Sequence, residues 1–447
     1  MKFFTKKSFA FLMAILMMFT LVACGGEKKE ETTVAGTENT NGELVIGVTS
    51  FADTLEPTEQ YFSWVITRYG VGENLVRFNE NGDLEPSLAE EWKVSDDKLT
   101  WEFKIRDGVK FSNGNPLTAE AVKSSLDRTF RKSKRADGFF KPTSIVADGQ
   151  TLKITTDKPV AILPQCLADP LFLIIDTSDN VEEYTTNAPI CTGPYVFKEF
   201  VPTEYAVVER NENYWGGKPG LAKVTFKCIN DQSTRALSLK SGEIGVAYNL
   251  KIENKADFEG QDDINIQELK SLRSTYAFMN QHGALGDLSL RQALLRALDK
   301  KTYTEKLLGG AATPGKAPIP PTLDYGFDKL VDENTFNPES AKEILAKAGY
   351  KDVDGDGFVE KPDGSKLELN FVIYTSREEL KVYAQAAQAN LKDVGINVNL
   401  KTVSYETLLD MRDSGNFDLL IWNVLAANTG DPEKYLYENW DSSSASN

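Results

Sequence analysis

The chain runs to 447 residues, 41% hydrophobic and 26% charged, with a formal net charge of −16, long enough for two or three domains with sizeable cores. So acidic a surface repels nucleic acid and anionic headgroups, which sets aside nucleic-acid binding on the scale of the whole molecule while leaving room for a local basic site. A single histidine, His282, argues against His-based catalysis and multi-His metal centres, and four cysteines without a C-x-x-C pair exclude a zinc ribbon or a dithiol redox motif.

Three lysines, Lys2, Lys6 and Lys7, precede an apolar run from Phe9 to Val22. At about 14 residues it is short for a membrane span and fits the core of an export signal. It ends in Leu21-Val22-Ala23-Cys24-Gly25-Gly26, which is similar to a bacterial lipoprotein box. That resemblance implies cleavage after residue 23 and diacylation of Cys24, and two acyl chains hold a protein firmly to a membrane where one does so marginally. The alternative is a plain secretory signal with an incidental cysteine. Residues 24–42 contain no aromatic and one valine, so they are read as a flexible tether. The folded body is then expected from Glu43, outside the cytoplasmic membrane. With Cys24 consumed, the odd count of Cys166, Cys191 and Cys228 points to buried free thiols rather than a bridge.

Glu43 to Thr49 reads as a buried strand, followed by a polar loop to Gln60. Helical spacing from Tyr61 onward places Trp64 and Arg68 on one face. Leu75 to Pro86 reads as strand, Asn81-Gly82 turn, strand. Leu88 to Val94 and Leu99 to Ile105 alternate with period two, as half-buried antiparallel strands do. Thr118 is placed to cap a helix from Ala119 to about Phe130. Five basic residues follow closely: Arg128, Arg131, Lys132, Lys134 and Arg135. They read either as a solvated helix end favourable to the dipole or as an anion-recognising cluster, since guanidinium matches carboxylate in a fork.

Pro189 to Pro219 reads as a hairpin broken at Pro202-Thr203-Glu204, then an aromatic-anchored turn at Asn211 to Gly217. Val224 to Ile229 is a strand and Thr234 to Gly242 a helix closed by glycine. Arg273 to Asn280 is a strand that carries Arg273 and Tyr276 into a new region, and His282 reads as a polar loop residue just beyond it. Asp287 to Asp299 is an amphipathic helix, and Asn337 opens another that ends at Gly349. Asp352, Asp354 and Asp356 with Gly357 match the first half of a calcium loop. Position 12 is Asp363 rather than a bidentate Glu, so the loop is read as a solvated acidic turn, with calcium as the alternative. Leu367 to Tyr374, Glu378 to Gly395 and Ile396 to Val403 form a strand–helix–strand unit of an α/β lobe. Phe417 to Trp422 is read as a last strand whose exit points Trp422 at a loop.

Several of these segments share a spelling. Thr192-Gly193-Pro194-Tyr195 is followed by Arg210-Asn211, Tyr214-Trp215-Gly216 and Pro219. Upstream stand Leu75-Val76-Arg77-Phe78, Pro86-Ser87-Leu88-Ala89-Glu90-Glu91-Trp92, Thr100-Trp101-Glu102-Phe103, Ile105 to Phe111 and Asn113 to Val122; downstream stand Thr234-Arg235-Ala236, Ser241 to Ile244 and Leu290 to Asp299. In this order they resemble the solute-binding proteins of the peptide/nickel class (family 5) of ABC importers, and the resemblance covers about 43–440.

It implies an α/β, two-lobed flytrap fold of the periplasmic-binding-protein type (type II-like): lobe I from 43–78 and 196–272, an extra subdomain from 79–195, and lobe II from 273–447. It implies a binding protein rather than an enzyme, with no cofactor and no catalytic residue. The expected partners are a peptide or small-molecule ligand in the interlobe cleft, an ABC permease with its ATPase, and the membrane through the anchor, with the protein a monomer. A surface adhesin or signalling receptor on the same fold is the alternative. Members of the family continue for several tens of residues beyond the equivalent of Asn447, so a return to the first lobe is expected to be missing. The candidate ligand residues are Tyr61, Trp64, Arg68, Arg135, Arg273, Tyr276, Trp422 and Asp431. In the peptide binders an Asp shortly after the last-strand Trp anchors the ammonium; here Asn423 to Ala427 follow, and Asp431 substitutes only if its loop folds back. In the nickel branch an Arg holds a carboxylate of the chelator, and Arg135 stands at the matching position, while a second Arg is replaced within Leu171-Phe172-Leu173. A metal chelate or other anionic solute therefore suits Arg135 with Tyr61, Trp64 and Trp422.

Overall fold

The computed structural model describes residues 42–49, 52–80, 82–374 and 377–442. The export signal, Cys24, most of the tether and Asn81 of the expected turn lie outside them. In chain order the first part of the body carries β1 (Gly42–Val48), a short helix α1 (Ser63–Arg68), the pair β2 (Val76–Phe78) and β3 (Leu84–Pro86), then β4 (Ala89–Val94) and β5 (Thr100–Ile105). Next come α2 (Ala119–Lys132), β6 (Pro142–Asp148), β7 (Thr151–Thr156), α3 (Leu163–Leu167), β8 (Tyr195–Val201), β9 (Tyr205–Arg210), β10 (Leu221–Cys228), α4 (Gln232–Lys240) and β11 (Val246–Ala247). The second part adds β12 (Arg273–Met279), α5 (Leu288–Ala297), α6 (Pro338–Lys347), β13 (Glu368–Tyr374), α7 (Glu378–Asp393), β14 (Asn397–Val403), α8 (Tyr405–Ser414), β15 (Leu419–Leu425) and α9 (Glu433–Trp440). All belong to one compact unit, and among the described residues no helix is long and apolar enough to cross a membrane.

Three larger sheets organise these elements. The first runs β11-β1-β10-β9-β8, the second β4-β5-β7-β6 and the third β12-β15-β13-β14. The second is antiparallel throughout, with Trp92 opposite Phe103 and Phe103 opposite Leu152. Its inward residues Phe103, Ile105, Leu152 and Ile154 pack on Val122 and Leu126 of α2. The expected cap holds: Thr118 accepts the Ala121 N–H at 3.1 Å, and the helix runs to Lys132 before Ser133 turns extended. In the third sheet β13 lies parallel to both β14 and β15. Leu369, Phe371, Val372, Ile373 and Tyr374 are all buried, the near-continuous apolar run of a strand covered on both faces.

The Thr192–Trp215 stretch is a closed polar network. The half-buried Glu73 carboxylate accepts from Thr192 Oγ1 at 2.7 Å, Trp215 Nε1 at 2.8 Å and Tyr214 OH at 3.4 Å. Burial pushes its carboxyl up, and the Trp215, Thr192 and Tyr214 hydrogen bonds offset this only in part. Asn211 donates to the Gly193 carbonyl at 2.8 Å. A side chain at Gly193 would have its Cβ 2.5 Å from the carbonyl oxygens of Gly70 and Val71, so only glycine lets the hairpin approach that backbone. Of the two turn glycines, Gly217 takes a positive φ of 98° while Gly216 packs against the Tyr214 ring.

Other expectations are settled here. Cys166 and Cys191 are buried free thiols and Cys228 is a half-buried one. His282 sits exposed in a turn. The last strand does not exit at Trp422: Asn423, Val424 and Leu425 continue the ladder opposite Thr275, Ser274 and Arg273, because the unbroken β-forming run still finds a partner strand. A further helix, α9, follows.

Candidate functional site

The first wall of the candidate site is built on α1 and the loop before it. That loop is pinned from behind by a buried ion pair: Arg128 of α2 grips both Glu56 oxygens at 2.9 and 2.8 Å, with both side chains almost fully covered. Burial alone would raise the Glu56 carboxyl, but the hydrogen bonds from Arg128 and Thr58 outweigh it and hold it below the usual carboxylate range. Five residues after Thr58 the chain enters α1, and Tyr61 meets Trp64 edge-on at 5.6 Å. Arg135, just beyond α2, lays its guanidinium 3.9 Å from the centre of the Tyr61 ring and also donates to the Gln60 carbonyl. Arg68 sits one turn after Trp64 with its guanidinium 5.0 Å over the indole. Tyr61 remains 40% exposed, so this stack of cations on aromatic faces is open to a ligand.

Behind Trp64 lies Asp169, buried and capping the Leu171 N–H at 2.9 Å. Burial pushes its carboxyl up, against the pull of that N–H, Arg135, Lys434 and the Trp64 indole. Neither the Trp64 indole Nε1 nor Asp169 Oδ2 has a partner at hydrogen-bond distance.

The second wall is the edge of the third sheet with α8. Tyr405, first residue of α8, stacks near Trp422 with ring centres 6.4 Å apart, and Tyr374 and Phe278 stand at 5.4 Å from Tyr405 and 5.9 Å from Trp422 respectively. Arg412 of α8 covers Trp422 at 5.0 Å. Arg273 opens β12 and donates to Asn423 Oδ1 at 3.0 Å. Arg377 precedes α7 at the carboxyl end of β13, 3.3 Å from Glu379.

The two walls face each other. Burial raises the Tyr405 hydroxyl pKa, and the groups that act on it next are Tyr61, Arg412, Arg273 and Arg135, two of them from the first wall. Burial lowers the Arg273 pKa, helped by the like charges of Arg377 and Arg68 and opposed by Tyr374 and Glu379. Tyr61, Trp64, Arg68 and Arg135 are thus gathered on one side, Trp422 and Arg273 on the other. A hollow of about 280 Å³ between the Thr186–Ile190 segment and the β8 edge contains none of them.

Two candidates are placed differently. Tyr276 lies opposite Trp422 in the ladder and shares its face, but its ring packs 5.3 Å from Trp440 and 6.4 Å from Tyr435 of α9. Asp431 turns its carboxylate onto the Glu433 N–H at 2.7 Å, at the entry to α9. Of the five clustered basic residues, Arg128 is consumed by Glu56, and Arg131 and Lys132 reach Glu182; Arg135 alone is built into the aromatic wall. Asp352, Asp354 and Asp356 bring carboxylate oxygens within 4.8 Å of one another on the surface. They accept the N–H groups of Gly355, Gly357, Asp356 and Phe358, and Lys366 lies 3.6 Å from two of them. Tyr405, Arg377 and Arg412 were not singled out by sequence reasoning. A signal for Arg377 existed, because ligands gather at the carboxyl ends of parallel strands and Arg377 follows such a strand.

Residues 83–447 match the family described as bacterial extracellular solute-binding proteins, family 5. The chain is 30% identical over 414 residues to the probable D,D-dipeptide-binding periplasmic protein DdpA of Escherichia coli, covering 89% of this chain and 77% of that one. It superposes on NikA from Brucella suis in complex with Fe(III)-EDTA with a TM-score of 0.77 at 26% identity, over 90% of this chain and 83% of that one. It superposes on the nickel ABC transporter structure from Bacillus halodurans with a TM-score of 0.69 at 30% identity, over 91% and 83%.

The chain therefore belongs to the family 5 bacterial extracellular solute-binding proteins of ABC importers, with their two-lobed α/β fold. Its relatives are carriers of transport ligands rather than enzymes, and what they hold is cargo rather than cofactor.

Proposed function

We propose that this protein captures a small anionic solute, a metal chelate or a compact carboxylate, between its two lobes and hands it to an ABC permease driven by its ATPase. The observation that carries the reading is the arrangement of guanidiniums over aromatic faces on both walls, with Arg135 on Tyr61 at 3.9 Å and Arg412 on Trp422 at 5.0 Å. Such faces bind a flat or multidentate anion by fork, stacking and cation–π contacts. No carboxylate follows Trp422 before Asp431, and Asp431 is engaged at the α9 entry, so an ammonium anchor is not what this site offers.

Tyr61, Trp64, Arg68 and Arg135 serve as the lobe I grip, and Arg273, Arg377, Tyr405, Arg412 and Trp422 as the lobe II grip. The division into lobe I (43–78 and 196–272), an inserted subdomain (79–195) and lobe II (from 273) is supported by the three separate sheets. Capture shifts an open–closed equilibrium by no more than the ligand's preference for the closed form. The protein works as a monomer held to the outer face of the membrane by lipid on Cys24. Cys24→Ser should release it from membranes into the soluble fraction, read by fractionation and blotting; retention of the variant would remove the anchor from this reading.

Native mass spectrometry of the purified protein with nickel–histidine chelate and with a mixed peptide pool tests the ligand class. Retention of the chelate over the peptides is expected. Preferential retention of peptides would overturn it.

A further inference from the structure

After β15 the chain leaves the third sheet and touches the first part of the molecule again. Gly430 closes against Phe78: its φ is +73°, and a Cβ there would stand 2.8 Å from the Phe78 ring. α9 then bridges two regions. Toward lobe II, buried Tyr435 donates its hydroxyl to the Pro318 carbonyl at 3.0 Å, and Trp440 packs 5.3 Å from Tyr276. Tyr276 stands opposite Trp422 in the ladder, so α9 is seated on the strand pair that carries the lobe II wall. Toward the inserted subdomain, Lys434 donates to the Gly138 carbonyl at 2.8 Å and sets its ammonium 5.1 Å from the centre of the Phe139 ring. The carbonyl that ends a helical turn lacks a donor within the turn, and the ammonium supplies one. Gly138 and Phe139 close the short turn that begins at Arg135: their N–H groups reach the Arg135 and Ala136 carbonyls at 3.1 and 3.0 Å. The Arg135 guanidinium lies 6.0 Å from the same Phe139 ring and 3.9 Å from that of Tyr61. The Lys434 side chain is only 21% exposed, with Glu438 one turn further along at 2.5 Å, so it is a held cation rather than a freely solvated one.

We propose that Lys434 is a positioning residue for solute capture: it straps the Arg135–Phe139 turn to α9 and so holds the Arg135 guanidinium over Tyr61, in register with the wall that carries Trp422. The idea rests on the anionic-solute reading above. It adds that the place of the gripping cation on the first wall is set from the second. Lys434 acts through the turn, so its removal should loosen Arg135 without unmaking the aromatic faces on either side.

Lys434→Met keeps most of the side chain's length and removes its charge and donors. In the purified ligand-free protein, hydrogen–deuterium exchange at the Gly138 and Phe139 amides should quicken about five-fold, the scale of one net hydrogen bond, while α2 exchanges as before. Affinity for the nickel–histidine chelate by calorimetry should fall by about the same factor. Lys434→Arg, which keeps a charged donor, should hold the wild-type values in both measurements and guards against a folding defect in the first variant. In an Arg135→Gln background Lys434→Met should cost no further affinity, because a residue that acts through Arg135 then has nothing left to place. Unchanged exchange at the turn, exchange that quickens throughout the subdomain, or an equal affinity loss with and without Arg135 overturns the proposal; if the wild type still binds the chelate, the capture reading stands without it. Exchange that quickens at the turn alone, in a protein whose wild type binds no anionic solute, keeps the strap and overturns the capture reading.

Discussion

Two polar constructions in the first lobe differ in how completely they are satisfied. Around Glu73 every partner is in place: Thr192, Tyr214 and Trp215 converge on one carboxylate, and Asn211 closes the ring at Gly193. Around Tyr61 the opposite holds. Arg135 rests on a ring that is 40% exposed, and the Trp64 indole N–H has no acceptor at bonding distance. A network with every group paired specifies one local structure; a set of cations and aromatic faces left partly open is ready for a guest. The stretch that is easiest to recognise in the chain therefore holds the hairpin in place, and the binding chemistry proposed above lies on residues that carry much weaker spelling.

The sharpest way to break that contrast is at the support beneath the open wall. Arg128→Ala strands Glu56 in a buried site, and removing one partner of such a pair costs about 3–5 kcal/mol. Urea unfolding should show the loss together with weaker solute binding, because the Tyr61 loop loses its pin. The pH dependence has a definite sign. The folded Glu56 carboxyl sits below its ordinary 4.5, so the pairing stabilises above that value and is lost as pH falls through the lowered folded value. Arg128→Ala should flatten that part of the acid-unfolding curve; an unchanged acid limb would show that the pair does not carry it.

Arg135→Gln sharpens the comparison from the other side. A charge-assisted contact is worth about 1.5–3 kcal/mol, so anionic-solute affinity should fall roughly ten- to a hundred-fold by calorimetry while the melting temperature stays put. A stability loss with unchanged affinity would make Arg135 a structural residue. Trp215→Phe keeps an aromatic side chain but trims the indole and removes its N–H donor from the Glu73 network, which should cost at least about 1–2 kcal/mol of stability and leave affinity unaltered. A fall in affinity from that change would erase the separation between the two regions.

Much of the fold was legible. The Thr118 cap, the 195–210 hairpin, the β13–α7–β14 unit and the His282 turn all follow from local pattern, because capping, turn chemistry and period-two alternation act between near neighbours in the chain. Trp64 and Arg68 were placed together for the same reason, four residues apart on one helical turn. The reading failed where a choice depended on distant partners. Local pattern ends the last strand at Trp422, yet β15 continues because Arg273 to Thr275 are there to pair with it. Of five basic residues after Leu126, nothing in their spacing says that Arg128 would be spent on Glu56 and Arg135 would reach Tyr61.

Family membership, the class of binding protein rather than enzyme, and most strands and helices can be read along the chain, since they rest on short-range spelling and on backbone demands such as the close approach at Gly193. Which side chains stand near one another across the two lobes depends on the three-dimensional packing. Tyr61, Arg135, Tyr405 and Trp422 lie hundreds of residues apart at the extremes, and their meeting is set by how two independently cored lobes are brought face to face. Spacing along a strand or helix fixes a side chain's own face and carries no information about the face that will stand opposite.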